Sequence, residues 1–325
     1  MRELLRALPR ATDMTLAAVV QADATAELPA RMQAQVRPAC VGMRRVVENL
    51  RPFGPASLVH GLDTELPLRP GAPTVNTVHD LALFDQPSAF RYAKRLVKPL
   101  TVRRSIKAAD ALIAVSAFTA ERVRARFGRD AVVVHEAPGP SFRSPTPAAV
   151  DEIRRRFHLP SAFVLYVGNL EPRKQVPTLA EACRIADVPL VLAGGAVTTI
   201  DTPAGATRLG HVSQDDLPAL FVAATVVAYV SSYEGFALPP IEAMACGATV
   251  VATRVGALPD VAGGGVEFVP IGDAARQAGV LKELFHDPAR RTERRDAALR
   301  AANALSWDAA ARDTVAVYRS LGVPA

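Results

Sequence analysis

The chain has 325 residues, 50% of them hydrophobic and 22% charged, with a formal net charge of +6 and three cysteines. That length accommodates two α/β domains of ordinary size, and the balance excludes a disordered or low-complexity protein. Cys40, Cys183 and Cys246 stand far apart without metal-ligand spacing, and no apolar run reaches the length of a membrane span. The opening M-R-E-L-L-R lacks the apolar centre of a signal peptide, so a cytoplasmic, reducing location is expected. No nucleic-acid-binding module is legible. The excess positive charge is then left to an anionic small substrate or an anionic membrane surface.

Residues 1–10 read as a helix with Leu4, Leu5 and Leu8 on one face. A Rossmann-like domain ordinarily opens with a strand and a tight glycine turn, so a chain opening in the helix is unexpected. Either the product starts upstream of Met1 or the domain is rebuilt, because losing a central strand exposes two sheet edges. Residues 14–20 form a candidate strand and 22–34 a weak loop or helix. After a short strand at 57–60, the strand at 74–78 delivers His79 and Asp80 to its carboxyl end, where open α/β sheets bind ligands. His79 either lines a ligand cleft or satisfies a loop carbonyl. Residues 90–109 carry Arg91, Lys94, Arg95, Lys98, Arg103, Arg104 and Lys107, largely at three- and four-residue spacing interrupted by Pro99. That is either a basic surface for anionic lipid or a solvated helix face. A strand at 111–115 ends at Ser116, an N-cap for the helix that stops near Gly128. Residues 132–134 form a further strand, and the proline-rich 135–147 reads as an interdomain linker.

In the second half, the strand at 163–167 runs into Gly168 and then N-L-E-P-R-K-Q, bringing Arg173 and Lys174 to a strand's carboxyl end. Paired cations there suit a polyanionic ligand such as a diphosphate; a solvated surface pair is the other reading. Gly194 and Gly195, after a strand at 190–193, permit close backbone approach to a ligand. His211 and Val212 precede a capping-box-like Ser213 and Asp216. A strand at 226–230 leads into S-S-Y-E-G-F-A-L-P-P-I-E-A-M-A-C-G, read as a loop at 231–238 and a short helix opening at Pro239 and Pro240 and stopped by Gly247. Glu234 then sits in the loop and Glu242 in the helix's first turn, beside free N–H groups and the positive end of the dipole. There Glu242 can accept hydrogen bonds from two neighbouring hydroxyls. Glu234, with the backbone N–H groups of Phe236, Ala237 and Leu238, can hold a second polyol. A favourable first-turn acid and an ordinary loop residue would read the same way. Cys246 reads as a small packed residue. Strands at 249–252 and 266–269 and helices at 273–286, 288–305 and about 307–321 complete the chain.

The wording E-G-F-A-L-P-P-I-E-A-M-A-C-G resembles the paired-glutamate signature of the retaining glycosyltransferase family 4. The resemblance continues in F-V-L-Y-V-G-N-L-E-P-R-K upstream and A-L-P-D-V-A-G-G downstream, and covers the chain from about Leu58 to its end. It implies an α/β protein of the GT-B fold, two Rossmann-like domains facing across a cleft. The expected parts are an acceptor-side domain over 1–142, a nucleotide-sugar domain over 143–305, and a helix at 306–325 crossing back to the first. The family's usual first strand and its glycine-rich loop resembling G-I-G-R-Y are absent.

The resemblance also implies roles. Glu242 would hold the ribose, Arg173 and Lys174 the diphosphate, and Glu234 with Phe236, Ala237 and Leu238 the sugar. Gly168 and Gly194 would line the donor site, His211 and Val212 would approach the base, and His79 would contact the sugar or stabilise developing charge. Relatives usually carry glycine where Ala237 stands, and some carry an arginine where Asn169 stands. No bound metal is expected. The phrases V-H-D-L and L-E-P-R-K resemble bacterial mannosyltransferase-like members of polysaccharide biosynthesis, which implies GDP-mannose as donor and a glycan or lipid-linked acceptor, with peripheral contact at the inner membrane face through residues 91–107 as one expectation. A non-catalytic homologue acting as a partner or scaffold is the alternative that the abrupt N-terminus favours.

Overall fold

Short runs of valine, leucine and alanine alternate with helical segments along the chain, as a parallel sheet requires. The computed structural model describes residues 1–40, 44, 47, 48, 51, 54–89, 92–195 and 201–323. It divides into two units: unit 1 comprises Met1–Glu136 and Ser306–Ala325, and unit 2 comprises Ala137–Leu305. The chain passes from one to the other inside the proline-rich segment.

Unit 1 opens with α1 (Arg2–Ala11), followed by β1 (Ala17–Gln21) and β2 (Gln33–Arg37), which pair in parallel as a two-stranded sheet. β2 had no counterpart in the sequence reading. Its Q-A-Q-V-R is almost wholly exposed, so no alternation of apolar residues marks it. β3 (Val59–Gly61), β4 (Thr74–Val78), β5 (Ala111–Ala114) and β6 (Val132–Val133) form a separate four-stranded parallel sheet in that order. α2 (Tyr92–Ala108) and α3 (Ala117–Phe127) supply its connections. Ser116 caps α3 by accepting from the Thr119 N–H at 3.1 Å, and Gly128 ends it in the left-handed conformation.

One face of the four-stranded sheet packs Val75, Ile113 and Val134 against Ala7 and Leu8 of α1 and Ala311, Val315 and Tyr318 of the C-terminal helix (Trp307–Ser320). The other face packs Val78 and Leu112 with Leu66, Leu81, Val102, Ile106 and Val123. Burying each such aliphatic side chain stabilises by about 1.5–3 kcal/mol. A polar pin runs through the first face. The half-buried His60 ring sits between the Tyr318 hydroxyl at 2.7 Å and the Thr77 hydroxyl at 2.8 Å.

The basic stretch is only partly a free surface. Lys98 pairs with Glu65 at 3.2 Å, and Arg104 donates to the carbonyls of Leu66 and Pro67, whereas Arg103 and Lys107 are exposed. Arg91 and the side chains of Lys94 and Arg95 lie outside the described residues. Among the described residues, no helix is long and apolar enough to cross a membrane.

Unit 2 begins with α4 (Pro147–Arg156), which Thr146 caps and whose first position suits Pro147. There follow β7 (Val164–Val167), α5 (Val176–Ala186), β8 (Leu190–Ala193), β9 (Thr207–Gly210), α6 (Leu217–Ala223) and β10 (Val226–Tyr229). After α7 (Leu238–Cys246) come β11 (Val250–Thr253), β12 (Val266–Val269), α8 (Ala274–His286) and α9 (Pro288–Asn303). The six strands form one parallel sheet in the order β12-β11-β10-β7-β8-β9. From β7 the chain first winds outward through β8 and β9, then returns to β10 on the other side. The order therefore reverses between β7 and β10, and that reversal opens a crevice at the strands' carboxyl ends.

Candidate functional site

The loops that leave β7 and β10 meet at this crevice. Gly168 follows β7 with φ 150°, and Gly194 follows β8 with φ 100°. A side chain at Gly194 would stand 2.9 Å from the Gly168 carbonyl oxygen, so glycine is what lets the two strand ends lie together. The β7 loop then makes a single turn of tight helix, Pro172–Lys174, that presents Arg173 and Lys174. The Arg173 carbonyl accepts from the Ser232 N–H at 2.8 Å and from the hydroxyls of Ser231 and Ser232 at 3.2 Å each. Those three bonds join the β7 loop to the β10 loop.

Glu234 is the centre of the arrangement. Its Oε1 accepts from Lys174 Nζ at 2.6 Å, Ser231 Oγ at 2.8 Å and an Arg173 guanidinium nitrogen at 3.0 Å. Lys174 also donates to the Tyr229 hydroxyl at 2.6 Å, and Arg173 also pairs with Glu171 at 3.0 Å. Glu234 and Lys174 are both buried. Burial pushes the Glu234 carboxyl up, but Lys174 and Arg173 outweigh it and hold the group below the usual carboxylate range. Burial lowers the Lys174 ammonium despite its carboxylate partner, and raises the Tyr229 hydroxyl well above its ordinary value. The result is a buried carboxylate with two cations at the mouth of a sheet, charged and hydrogen-bonded as such sites must be.

The short helix α7 begins at the same loop. Phe236 and Ala237 are buried, and Ala237 is the N-cap residue in a left-handed conformation, φ 71° and ψ 60°. The helix starts at Leu238, earlier than the two prolines suggest, so Glu242 is not in its first turn as the sequence reading had it. It lies at the fifth helical position and is half-buried. Pro239 and Pro240 carry no N–H, so within the first turn only Leu238 and Ile241 have a backbone donor. Cys246, on the same helix, is buried, and burial pushes its thiol up to about 12. At the sheet's far edge, His211 is exposed and Val212 buried, just after β9. Asp216 is the N-cap residue of α6 and hydrogen-bonds Ser213 at 2.7 Å, consistent with a helix start. Among the described residues no three His, Cys, Asp or Glu side chains gather as metal ligands.

Unit 2 thus brings Gly168, Arg173, Lys174, Gly194, Glu234, Phe236, Ala237 and Leu238 to adjoining loop ends of one sheet. Sequence reasoning did not single out Ser231, Tyr229 or Glu171. Ser231 and Tyr229 carry no spacing signal, since only the pairing of β7 with β10 reveals them; Glu171 stands two residues before Arg173, and the acid–base alternation could have marked it. His79 belongs to unit 1. It follows β4 at the carboxyl end of that sheet, with its Nε2 2.8 Å from the Leu62 carbonyl and its Nδ1 3.4 Å from Glu136.

Comparison with known proteins agrees with this geometry. Residues 2–137 match the family profile of glycosyltransferase family 4, and residues 150–302 that of the glycosyl transferases group 1. The chain is 30% identical over 287 residues to O-antigen chain mannosyltransferase B of Escherichia coli, covering 81% of this chain and 74% of that protein. It is 34% identical over 243 residues to D-inositol 3-phosphate glycosyltransferase 1 of Catenulispora acidiphila, covering 66% of this chain and 58% of that protein. Its fold is similar to that of Anabaena HepE, solved with UDP and glucose, at a TM-score of 0.73, 18% identity, and 98% and 95% coverage. The two Rossmann-like units, the sheet reversal and these matches together place the chain in glycosyltransferase family 4, whose members are sugar-transferring enzymes of the GT-B fold.

Proposed function

We propose that the protein transfers a hexosyl group, mannose from GDP-mannose, to a hydroxyl of a glycan or lipid-linked acceptor with retention of anomeric configuration. The observation that carries this reading is the Glu234, Lys174 and Arg173 cluster at the reversal of the unit 2 sheet. Two cations held beside one carboxylate are preorganised for a diphosphate, whose charge rises as the sugar departs. Lys174 and Arg173 bind that diphosphate, and Glu242 accepts from the two ribose hydroxyls. Glu234 and the backbone N–H groups of Phe236, Ala237 and Leu238 orient the sugar. Gly168 and Gly194 let the backbone come close, and His211 with Val212 flanks the base.

The bond from the anomeric carbon to the phosphate oxygen breaks, and a bond from that carbon to the acceptor oxygen forms on the same face. The acceptor proton passes to the departing phosphate oxygen, so no protein base is required. Charge on the leaving group is met by the two cations and the start of α7 rather than by a bound metal. His79 stabilises developing charge. Mannose is favoured by the similarity to the E. coli mannosyltransferase; GDP rests on the resemblance of V-H-D-L and L-E-P-R-K to mannosyltransferase-like members.

The test is donor binding and transfer with GDP-, UDP- and ADP-sugars, with Glu242→Ala and Lys174→Ala as controls. Saturable binding of GDP-mannose, lost in both variants, supports the reading. Binding of a UDP- or ADP-sugar alone overturns the donor assignment, and no binding by the folded chain overturns the site.

A further inference from the structure

His79 is held at three points, all within unit 1. Its Nε2 lies 2.8 Å from the Leu62 carbonyl oxygen, an atom that only accepts, so that nitrogen carries a hydrogen. Its Nδ1 faces the Glu136 carboxylate at 3.4 Å, which is also an acceptor when ionised. Its own carbonyl takes a long hydrogen bond, 3.4 Å, from the Thr119 hydroxyl in the first turn of α3. Glu136 stands at the end of the chain that leaves β6, and its side chain is only 16% exposed. The ring and the carboxylate line one open pocket with Leu62, Thr77, His135 and Trp307.

We infer that Glu136 is the positioning residue for His79: it turns the ring so that both nitrogens donate, and His79 then acts through a fixed positive charge and never as a proton acceptor. This rests on the proposed role of His79 in stabilising developing charge. A ring with both nitrogens committed to acceptors has no lone pair to offer an acceptor hydroxyl. It has, instead, a cation whose orientation is set by a carbonyl on one side and a carboxylate on the other, the arrangement that fixes imidazole orientation and protonation in many sites.

The electrostatics agree. Burial works against the charged ring, but the Glu136 hydrogen bond and charge, with the Leu62 carbonyl, outweigh it and raise His79 above the ordinary histidine value. The groups facing it are few. The Met1 amino group opposes the charge. The nearby His60, which burial keeps neutral, adds no charge of its own. His135 lines the same pocket. Glu136 is the anion that ion-pairs with the ring.

Two readouts test the inference. Histidine NMR titration of the full chain, with the His79 signal assigned by its loss in His79→Gln, reports the ring directly. In Glu136→Gln, which keeps the shape and removes the charge, the His79 midpoint should move to lower pH. The alkaline limb of the sugar-transfer profile should move with it, and kcat at alkaline pH should fall while the KM for donor stays. An unmoved His79 midpoint in a folded Glu136→Gln variant overturns the inference, whatever the activity. A moved midpoint with an unmoved alkaline limb overturns the link to transfer. Full activity in His79→Gln instead overturns the underlying role of His79, a result distinguishable from both.

Discussion

The two units solve the same problem with different degrees of closure. Among its described residues unit 2 holds one continuous sheet of six strands, and its candidate site residues are tied to one another across adjoining loops. Among its described residues unit 1 holds two sheets, of two and four strands, and its candidate histidine, His79, has its ring tied to a carbonyl and a carboxylate. Where strands pair without a break, side chains from distant parts of the chain can share a single buried carboxylate. Where they do not, positioning falls to individual contacts. Perturbations should therefore be cooperative in unit 2 and local in unit 1.

The largest expected effect is in Lys174→Ala. It leaves Glu234 buried with one cation fewer, which should cost about 3–5 kcal/mol of unit 2 stability. Removing a charge-stabilising donor should also lower kcat by roughly 10²–10³. Thermal unfolding and transfer assays read both. Comparable stability in the variant and the parent would show that the cluster is not cooperative. Glu234→Gln keeps the shape and a carbonyl oxygen that can accept from the same three donors, so a smaller loss of about 1.5–3 kcal/mol is expected, with sugar positioning impaired.

The next effect sharpens the contrast, because it belongs to unit 1 alone. Burial first, with His79 a lesser cause, lowers His60 from 6.5 to about 3. Below pH 6.5 the unfolded chain therefore takes up a proton that the folded one refuses until about pH 3. The stability held above pH 6.5 is lost as pH falls through that window, at up to about 1.4 kcal/mol per unit. Hydrogen exchange at pH 7 and pH 5 should show protection of β3, β4 and the C-terminal helix declining, and His60→Gln should flatten that decline. An equal decline in the variant would remove His60 as the cause.

The smallest effect is a gain. Ala237 holds a left-handed backbone at φ 71°, where a residue with a β-carbon is strained by about 1–2 kcal/mol. Ala237→Gly relieves that strain but adds freedom to the unfolded chain, about 0.4–1 kcal/mol in the other direction. A rise of up to about 1 kcal/mol is the expected balance, read as a higher midpoint in chemical denaturation. A clear loss would show that the methyl group packs productively in the site.

How much of this was legible in the sequence followed from burial. The strand at 226–229 is enclosed on both faces, so its V-V-A-Y forms a continuous apolar run that stands out unaided. β2 is exposed and polar, and nothing in Q-A-Q-V-R distinguishes it from a loop. The helix carrying Glu242 began earlier than its prolines suggested, because the left-handed turn at Ala237, not proline, sets its start. The cations of the site were visible as residue types at a strand end. That one glutamate, Glu234, would bind both of them was not, since β7 and β10 become neighbours only through a reversal that local patterning does not encode. Glu136 was hidden for a similar reason: it lies in a segment that reads as linker, and its partner is 57 positions away in sequence.

The triple attachment of the Arg173 carbonyl to Ser231 and Ser232 has a practical side. The segments after β7 and β10 are mechanically a single part, although some sixty residues separate them. Anyone redesigning which sugar nucleotide the enzyme accepts would gain little by grafting either segment alone, because the recipient's other segment would no longer offer matching hydroxyls. Grafted together, they form a portable cassette whose internal bonds travel with it.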